Sequence, residues 1–317
     1  MSSANPDVML SLRALTKSYG DLRAVNDLSF DVVRGEVFGL LGPNGAGKTT
    51  TINMICGLLK SEAGSIEIDG RPVSAAHRQH KQIGLCPQDV VIWETLTCGE
   101  QLEFMGRLYD VDRAAARRRA RELLEILGLM DRRDTLARAL SGGMKRRLNI
   151  ALALVHEPAI LILDEPQAGL DPQSRILVRE YVRSLADRTT VILTTHDMDE
   201  ADRLSDRIAI IDHGRLLVLD TSDNLKNRVG PGEILEVKVP DVAQEQLHRL
   251  RESLPPVIHH LAFEQGTLRL VGADILNLLP SLLETFRHHN ITIEEMTIRQ
   301  RTLEDVFITL TGRGLRE

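Results

Sequence analysis

Gly42, Gly47, Lys48 and Thr49 stand at the spacing G-x-x-x-x-G-K-[ST] in the stretch Val37-Phe38-Gly39-Leu40-Leu41-Gly42-Pro43-Asn44-Gly45-Ala46-Gly47-Lys48-Thr49-Thr50. Residues of these types in this order can hold phosphate. The glycines let a tight turn aim its backbone N–H groups inward as a nest for phosphate oxygens. A helix opening near Lys48 adds free N–H groups and the positive end of its dipole. The Lys48 ammonium suits terminal phosphates, and the Thr49 hydroxyl suits Mg²⁺. The apolar run before the turn reads as a buried strand, so Gly42–Thr50 is read as a phosphate-binding loop.

Other candidate groups fall at the ends of similar runs. Ala159-Ile160-Leu161-Ile162-Leu163-Asp164-Glu165-Pro166 is apolar on both faces, as in the middle of a parallel sheet, and closes on two carboxylates. Ligands of open α/β sheets bind at such strand ends. Asp164 therefore fits a Mg²⁺ partner, and Glu165 is placed to orient or deprotonate a water. Thr190-Val191-Ile192-Leu193-Thr194-Thr195-His196 repeats the design and ends in a histidine, either structural or within reach of a γ-phosphate. Gln88 follows the apolar Ile83–Cys86 run, where its amide could be solvated or could touch Mg²⁺ or a water. Tyr19, in a loop between two early strands, could stack on an adenine or pack its own loop. Leu140-Ser141-Gly142-Gly143-Met144 opens a helix, either as an ordinary capped turn or as an anion site.

The elements that must position these groups follow from periodicity. Val8–Leu15 and Leu28–Val33 read as strands, Gly64–Ile68 as strand then turn, and Ile208–Ile211 with Leu216–Leu219 as a hairpin. Between Thr97 and Leu140 the period changes to 3.6, with Ala116, Ala120, Leu123, Leu124 and Leu127 on one stripe and Arg117-Arg118-Arg119 on a solvated face beside Glu122 and Glu125. This is a helical insertion, about residues 95–157. Gly230-Pro231-Gly232 reads as a linker that separates residues 1–229 from 233–317. Beyond it the order β-α-β-β-α-β plus a final helix from Thr302 suggests a ferredoxin-like α+β domain. Its strands are expected at Ile234–Val239, Val257–Phe263, Thr267–Val271 and Ile291–Ile298. Its paired histidines, His259-His260 and His288-His289, point apart on a strand and do not form a metal site.

Composition narrows the choice of partner. The net charge of −6 and the 3% aromatic content argue against nucleic acid, bound either by bulk charge or by base stacking. Cys56, Cys86 and Cys98 lack metal-ligand spacing and are expected as buried hydrophobes in a reducing cytosol. No apolar run approaches the ~18 residues of a membrane span, and Met1–Pro6 lacks the regions of a secretory signal. A membrane role would have to work through another polypeptide.

Taken together, residues 8–229 closely resemble the ATP-binding cassette of ABC transporters. The loop Gly42–Thr50, the glutamine loop at Gln88, the signature Leu140–Met144, the carboxylates Asp164 and Glu165, Ala168-Gly169-Leu170-Asp171 and the switch residue His196 occur in the family's order. Tyr19 matches its adenine-stacking aromatic. Met144 stands where glutamine is common, and Gln167 where threonine or serine is common. Met144-Lys145-Arg146-Arg147 and Thr302-Leu303-Glu304-Asp305-Val306-Phe307 resemble the drug-resistance, nodulation-protein and lipid-exporter subgroup. The resemblance implies an α/β P-loop NTPase cassette with a mixed sheet core, an N-terminal antiparallel β subdomain and a helical subdomain. It further implies Mg²⁺ and ATP as cofactors, Thr49, Gln88 and Asp164 near the metal, and catalysis by Glu165, His196, Lys48 and Gln88. Two copies would pair head to tail, so that Ser141, Gly142 and Gly143 of one, with Asp171 nearby, meet ATP on the other. A separate membrane permease would place the chain on the cytoplasmic face of the membrane, as the motor of an exporter. The rival expectation is a cassette ATPase acting on ribosomes or DNA, without the long coiled coils or second cassette usual there.

Overall fold

The computed structural model describes residues 8–73, 79–186, 188–228, 232–240, 242–264 and 266–312. Met1–Pro6 and two residues of the expected linker, Gly230 and Pro231, lie outside them. The elements run β1 (Val8–Tyr19), β2 (Leu22–Val33), β3 (Val37–Leu41), α1 (Lys48–Ile55), β4 (Ala63–Ile68), β5 (Arg71–Pro72), β6 (Ile83–Cys86), α2 (Cys98–Leu108), α3 (Arg113–Ile126), α4 (Gly142–Leu154), β7 (Ile160–Asp164), α5 (Pro172–Ser184), β8 (Thr190–Thr195), α6 (Met198–Leu204), β9 (Arg207–Asp212), β10 (Arg215–Asp220) and α7 (Ser222–Arg228). Then follow β11 (Glu233–Lys238), α8 (Gln244–Ser253), β12 (Ile258–Glu264), β13 (Thr267–Gly272), α9 (Ile275–His288), β14 (Glu295–Gln300) and α10 (Leu303–Thr311). Two compact units divide the chain, one running to Ser222 and the other beginning at Asp223.

The first unit is built on a six-stranded sheet in the order β10-β9-β3-β8-β7-β6, parallel except at β10. Its strands are apolar on both faces because both faces are covered. Ile160 and Ile162 of β7, Ile192 of β8 and Phe38 and Leu40 of β3 join one core, with β1, β2, β4 and α1. Their neighbours Leu161, Leu163, Val191, Leu193 and Val37 join a second core with α2, α3, α4 and α5. The period-2 alternation of strand side chains thus divides each strand between two hydrophobic layers. Phe30 stacks on Phe38 at 5.1 Å between ring centroids, joining the antiparallel sheet β2-β1-β4-β5 to the central one.

β1 and β2 run further than their apolar alternation suggested. Lys17, Ser18 and Tyr19 pair with Val25, Arg23 and Leu22, closing the hairpin over Gly20-Asp21. Tyr19 is accordingly the last residue of a strand and not a loop residue. Pairing of the backbone carries the strand through a polar stretch that hydrophobic period alone reads as a turn. The helical insertion starts and stops on local chemistry. Thr97 and Glu100 form a capping box at α2, and the Asp112 carboxylate accepts the N–H groups of Ala114 and Ala115 at the start of α3.

The second unit forms a sheet in the order β12-β13-β11-β14, antiparallel throughout. This is the topology of a ferredoxin-like sandwich, with Leu250 of α8 and Leu282 and Phe286 of α9 in one core with Leu235, Val237, Leu268 and Leu270. Its last strand begins at Glu295, later than the isoleucines of 291–298 suggested. Ile291 and Ile293 pack against the core ahead of the strand.

One buried carboxylate ties α6 to β8. Glu200 is 6% exposed, and its Oε2 accepts the Thr195 hydroxyl at 2.6 Å. Burial pushes its pKa up to about 7, opposed by the Thr195 hydroxyl and reinforced by Asp197 and Glu165. The folded chain therefore keeps this proton where an unfolded carboxyl has lost it. The stability it contributes is full below about pH 4.5 and is lost as the pH rises through 7. Relative to Glu200→Gln, the parent should lose up to about 3 kcal/mol of stability between pH 5 and pH 8. Urea unfolding of both proteins across that range checks this, and a difference independent of pH would contradict it.

Candidate functional site at the edge of the parallel sheet

Four adjacent strands deliver the candidate groups to one edge. In the order β3, β8, β7, β6 their C-terminal ends lead into the glycine loop, His196, Glu165 and Gln88. A cleft of about 360 Å³ there is lined by Tyr19, Pro43, Asn44, Gly45, Ala46, Gly47, Lys48, Thr49, Thr50, Gln88 and Glu165, with Leu22 and Ala24. The sequence-predicted phosphate loop, aromatic, glutamine and carboxylate therefore share one cavity, although they are as far apart as 146 positions in the chain.

The loop's glycines have distinct jobs. Gly47 caps α1 at φ 102°, and a Cβ there would sit 2.3 Å from the Ala24 carbonyl oxygen. Gly42 is needed for closeness alone, since its Cβ would meet the Ile211 carbonyl at 2.4 Å. α1 has neither a side-chain cap nor an acidic residue in its first turn. Its N-terminal N–H groups and dipole are left for an external anion.

Lys48, Asp164 and Glu165 are buried at this edge, at 6%, 3% and 6% exposure, and the buried Arg146 guanidinium meets the backbone carbonyls of the last two. The Lys48 ammonium donates to the carbonyls of Gly42 at 2.7 Å and Pro43 at 3.2 Å, and lies 3.8 Å from Glu165 Oε1. Burial lowers its pKa, while Glu165 and Asp164 hold it up. Asp164 accepts the Thr49 hydroxyl at 3.3 Å on one oxygen and the Thr194 hydroxyl on the other. Glu165 Oε1 lies 2.8 Å from His196 Nδ1. The two carboxylates lie near two buried cations, the Lys48 ammonium and the Arg146 guanidinium. The Thr49 hydroxyl and the Asp164 carboxylate, 3.3 Å apart, are oxygen donors of the kind a hard divalent cation takes. Among the described residues no group of three or more His, Cys, Asp or Glu is placed to hold a metal. The oxygen set of Thr49, Asp164 and Gln88 instead fits Mg²⁺, which keeps several waters and binds substrate phosphates.

Ser141, Gly142, Gly143 and Asp171 are not among the residues lining the cleft. Ser141 caps α4, its hydroxyl accepting the Met144 N–H at 3.3 Å. Asp171 caps α5 through Ser174, whose hydroxyl donates to it at 2.7 Å and whose hydrogen bonds lower its pKa. The two helix starts are neighbours, for a Cβ on Gly143 would lie 3.1 Å from Asp171 Oδ2. Met144 packs against the helical core, and Gln167 is buried with its Nε2 unpartnered. The cysteines are free and buried, and burial raises the pKa of all three.

Sequence reasoning missed Thr194 and Arg146. Thr194 sits within a buried strand, and its hydroxyl both donates to Asp164 and accepts the Glu165 N–H. Arg146 lies in the run Lys145-Arg146-Arg147, to which the sequence reading gave no role at the site. The available signal is helical period: Arg146, Asn149, Ile150 and Ala153 occupy one face of α4, and all are buried.

Residues 25–168 match the ABC transporter family. The linearmycin resistance ATP-binding protein LnrL of Bacillus subtilis (strain 168) is 39% identical, covering 98% of this chain and 100% of that one. The daunorubicin/doxorubicin resistance ATP-binding protein DrrA of Streptomyces peucetius is 40% identical, over 98% and 94%. The Nod factor export ATP-binding protein I of Ralstonia nicotianae is 39% identical, over 98% and 95%. A solved ATP-binding subunit of an ABC transporter superposes with a TM-score of 0.65 at 32% identity, over 70% of this chain and 93% of that one. The cassette MJ0796, solved as a dimer in a post-hydrolysis state with ADP and Pi, gives 0.62 at 26% identity, over 67% and 98%. Likeness of this degree across nearly the full length of its relatives makes the chain a member of the ABC transporter family, an ATP-binding protein with ATPase activity.

Proposed function

We propose that this chain is the motor subunit of an exporter, working as a head-to-tail pair on the cytoplasmic face of a separate membrane permease. The observation that carries the reading is the single cleft joining Tyr19, the loop Pro43–Thr50, Gln88 and Glu165. Adenine stacks on Tyr19, and the loop N–H groups with Lys48 take the phosphates. Thr49, Gln88 and Asp164 would hold Mg²⁺, which would supply neutralisation of phosphate charge. Glu165, beside His196, orients and deprotonates the attacking water, and His196 reaches the γ-phosphate. Ser141, Gly142 and Gly143 stand clear of this cleft at a helix start, as groups offered to a second copy's ATP would, with Asp171 beside them.

Two further observations support a permease. No helix among the described residues is long and apolar enough to cross a membrane. Beside the Gln88 loop an apolar cleft of about 300 Å³ is lined by Leu58, Val91, Met105 and Tyr109, with Val91 63% and Leu58 66% exposed. Trp93 and Phe104 meet edge to face nearby in sequence, both also exposed. Exposed apolar groups gathered in this way mark a surface that another protein covers. The relatives' names point to export of Nod factor and to resistance to linearmycin and daunorubicin, and we carry the export role to this chain.

Glu165→Gln should lower Mg²⁺-dependent ATP turnover more than tenfold while ATP still binds, and Lys48→Ala should weaken ATP binding itself. Phosphate release and equilibrium nucleotide binding measure these two effects. Turnover within tenfold of the parent in Glu165→Gln would remove the base assignment. Light scattering on Glu165→Gln with Mg-ATP should report twice the 35.3 kDa of one chain. A mass that stays at one chain under saturating nucleotide would remove the paired motor.

A further inference from the structure

The Arg146 guanidinium is 2% exposed and pairs with no carboxylate among the described residues; it donates to five backbone carbonyls instead. Nε reaches Pro166 at 3.2 Å, and Nη2 reaches Asp164 at 2.6 Å and Glu165 at 2.8 Å. Nη1 takes the carbonyls of Pro87 and, at 3.0 Å, Gln88. One side chain on α4 thus joins the glutamine loop to the end of β7.

Successive carbonyls of an extended strand point to opposite sides, so three in a row cannot converge on one group without a reversal. The reversal is at Glu165, whose φ of 50° lies in the left-handed region that side chains other than glycine rarely adopt. Such a conformation persists only where the surroundings over-determine it. On the other side of the turn, the Glu165 N–H donates to the carbonyl and hydroxyl of Thr194 at 3.1 and 3.2 Å. β8 therefore holds the N–H end of this residue and Arg146 its carbonyl end. The carboxylate emerges toward His196 and Lys48.

We propose that Arg146 is a positioning residue for ATP hydrolysis, fixing the backbone turn that aims the Glu165 carboxylate. The inference rests on the proposed role of Glu165 as the base. It assigns Arg146 no contact with nucleotide, since its donors are all engaged by protein carbonyls. Lysine replaces it only in part, because a single ammonium has three donors at one point and not a planar fork of five.

The test is ATPase kinetics on Arg146→Gln, Arg146→Lys and the double variant Arg146→Gln/Glu165→Gln, with nucleotide affinity measured beside turnover. Arg146→Gln should lower kcat at least tenfold and Arg146→Lys several-fold, with KM and ATP affinity within twofold of the parent. In the Glu165→Gln background Arg146→Gln should lower the residual turnover no further, because the group it aims is already gone. A kcat within twofold of the parent in Arg146→Gln, beside an inactive Glu165→Gln, would overturn the inference alone. Full turnover in Glu165→Gln by itself would overturn the base assignment and this inference with it. Equal losses in affinity and kcat, or a further loss in the double variant, would also overturn the positioning role. If Arg146→Gln does not fold, Arg146→Lys carries the comparison; if neither folds, the arginine is a staple of the fold and the inference fails.

Discussion

An ammonium and two carboxylates buried side by side are costly to keep out of water, and the architecture of the first unit answers to that constraint. Lys48, Asp164 and Glu165 meet where β3 and β7 end, with β8 between them. Each is held by neighbours that the sheet supplies. The loop's own carbonyls hold Lys48, two threonine hydroxyls hold Asp164, and His196 and the Lys48 charge face Glu165. A nucleotide in the cleft would set its phosphates against the Lys48 ammonium and the uncapped start of α1.

The sheet achieves this by adjacency more than by any single contact. Parallel neighbours present the same end to the same edge, so the loop, His196, Asp164 with Glu165, and Gln88 come together from four separate stretches of chain. Covering both faces with apolar layers keeps the four strands in register. α4 starts at this edge and runs back along β6, with Ser141 at its start, Arg146 one turn and a half further on, and Ala153 beside Gly84. The same helix thus offers one group outward and another inward to the carbonyls around Glu165.

Much of the site was legible because its signals are local. A glycine pattern between a strand and a helix marks Gly42–Thr50, and apolar runs that end in polar groups mark Asp164, Glu165 and His196. What was not legible depends on tertiary pairing. Tyr19 reads as a loop residue because Thr16-Lys17-Ser18 breaks the apolar alternation, yet cross-strand hydrogen bonds with Leu22–Val25 extend β1 through it. Arg146 sits between Lys145 and Arg147 in sequence, and only the backbone carbonyls that converge on its guanidinium in the fold separate it from them. Thr194 is hidden in a strand of apolar neighbours, where one hydroxyl orders two carboxylate residues. The late start of β14 has a similar cause, since Ile291 and Ile293 pack on the core without joining the sheet.

The account stands on the glycine loop gripping phosphates and not merely binding an adenosine. Calorimetric titration of the chain with ATP, ADP and AMP in the presence of Mg²⁺ tests that most directly. ATP and ADP should bind at least tenfold more tightly than AMP, because the Lys48 ammonium and the first turn of α1 meet the outer phosphates. Equal affinity for AMP and ATP would contradict the account.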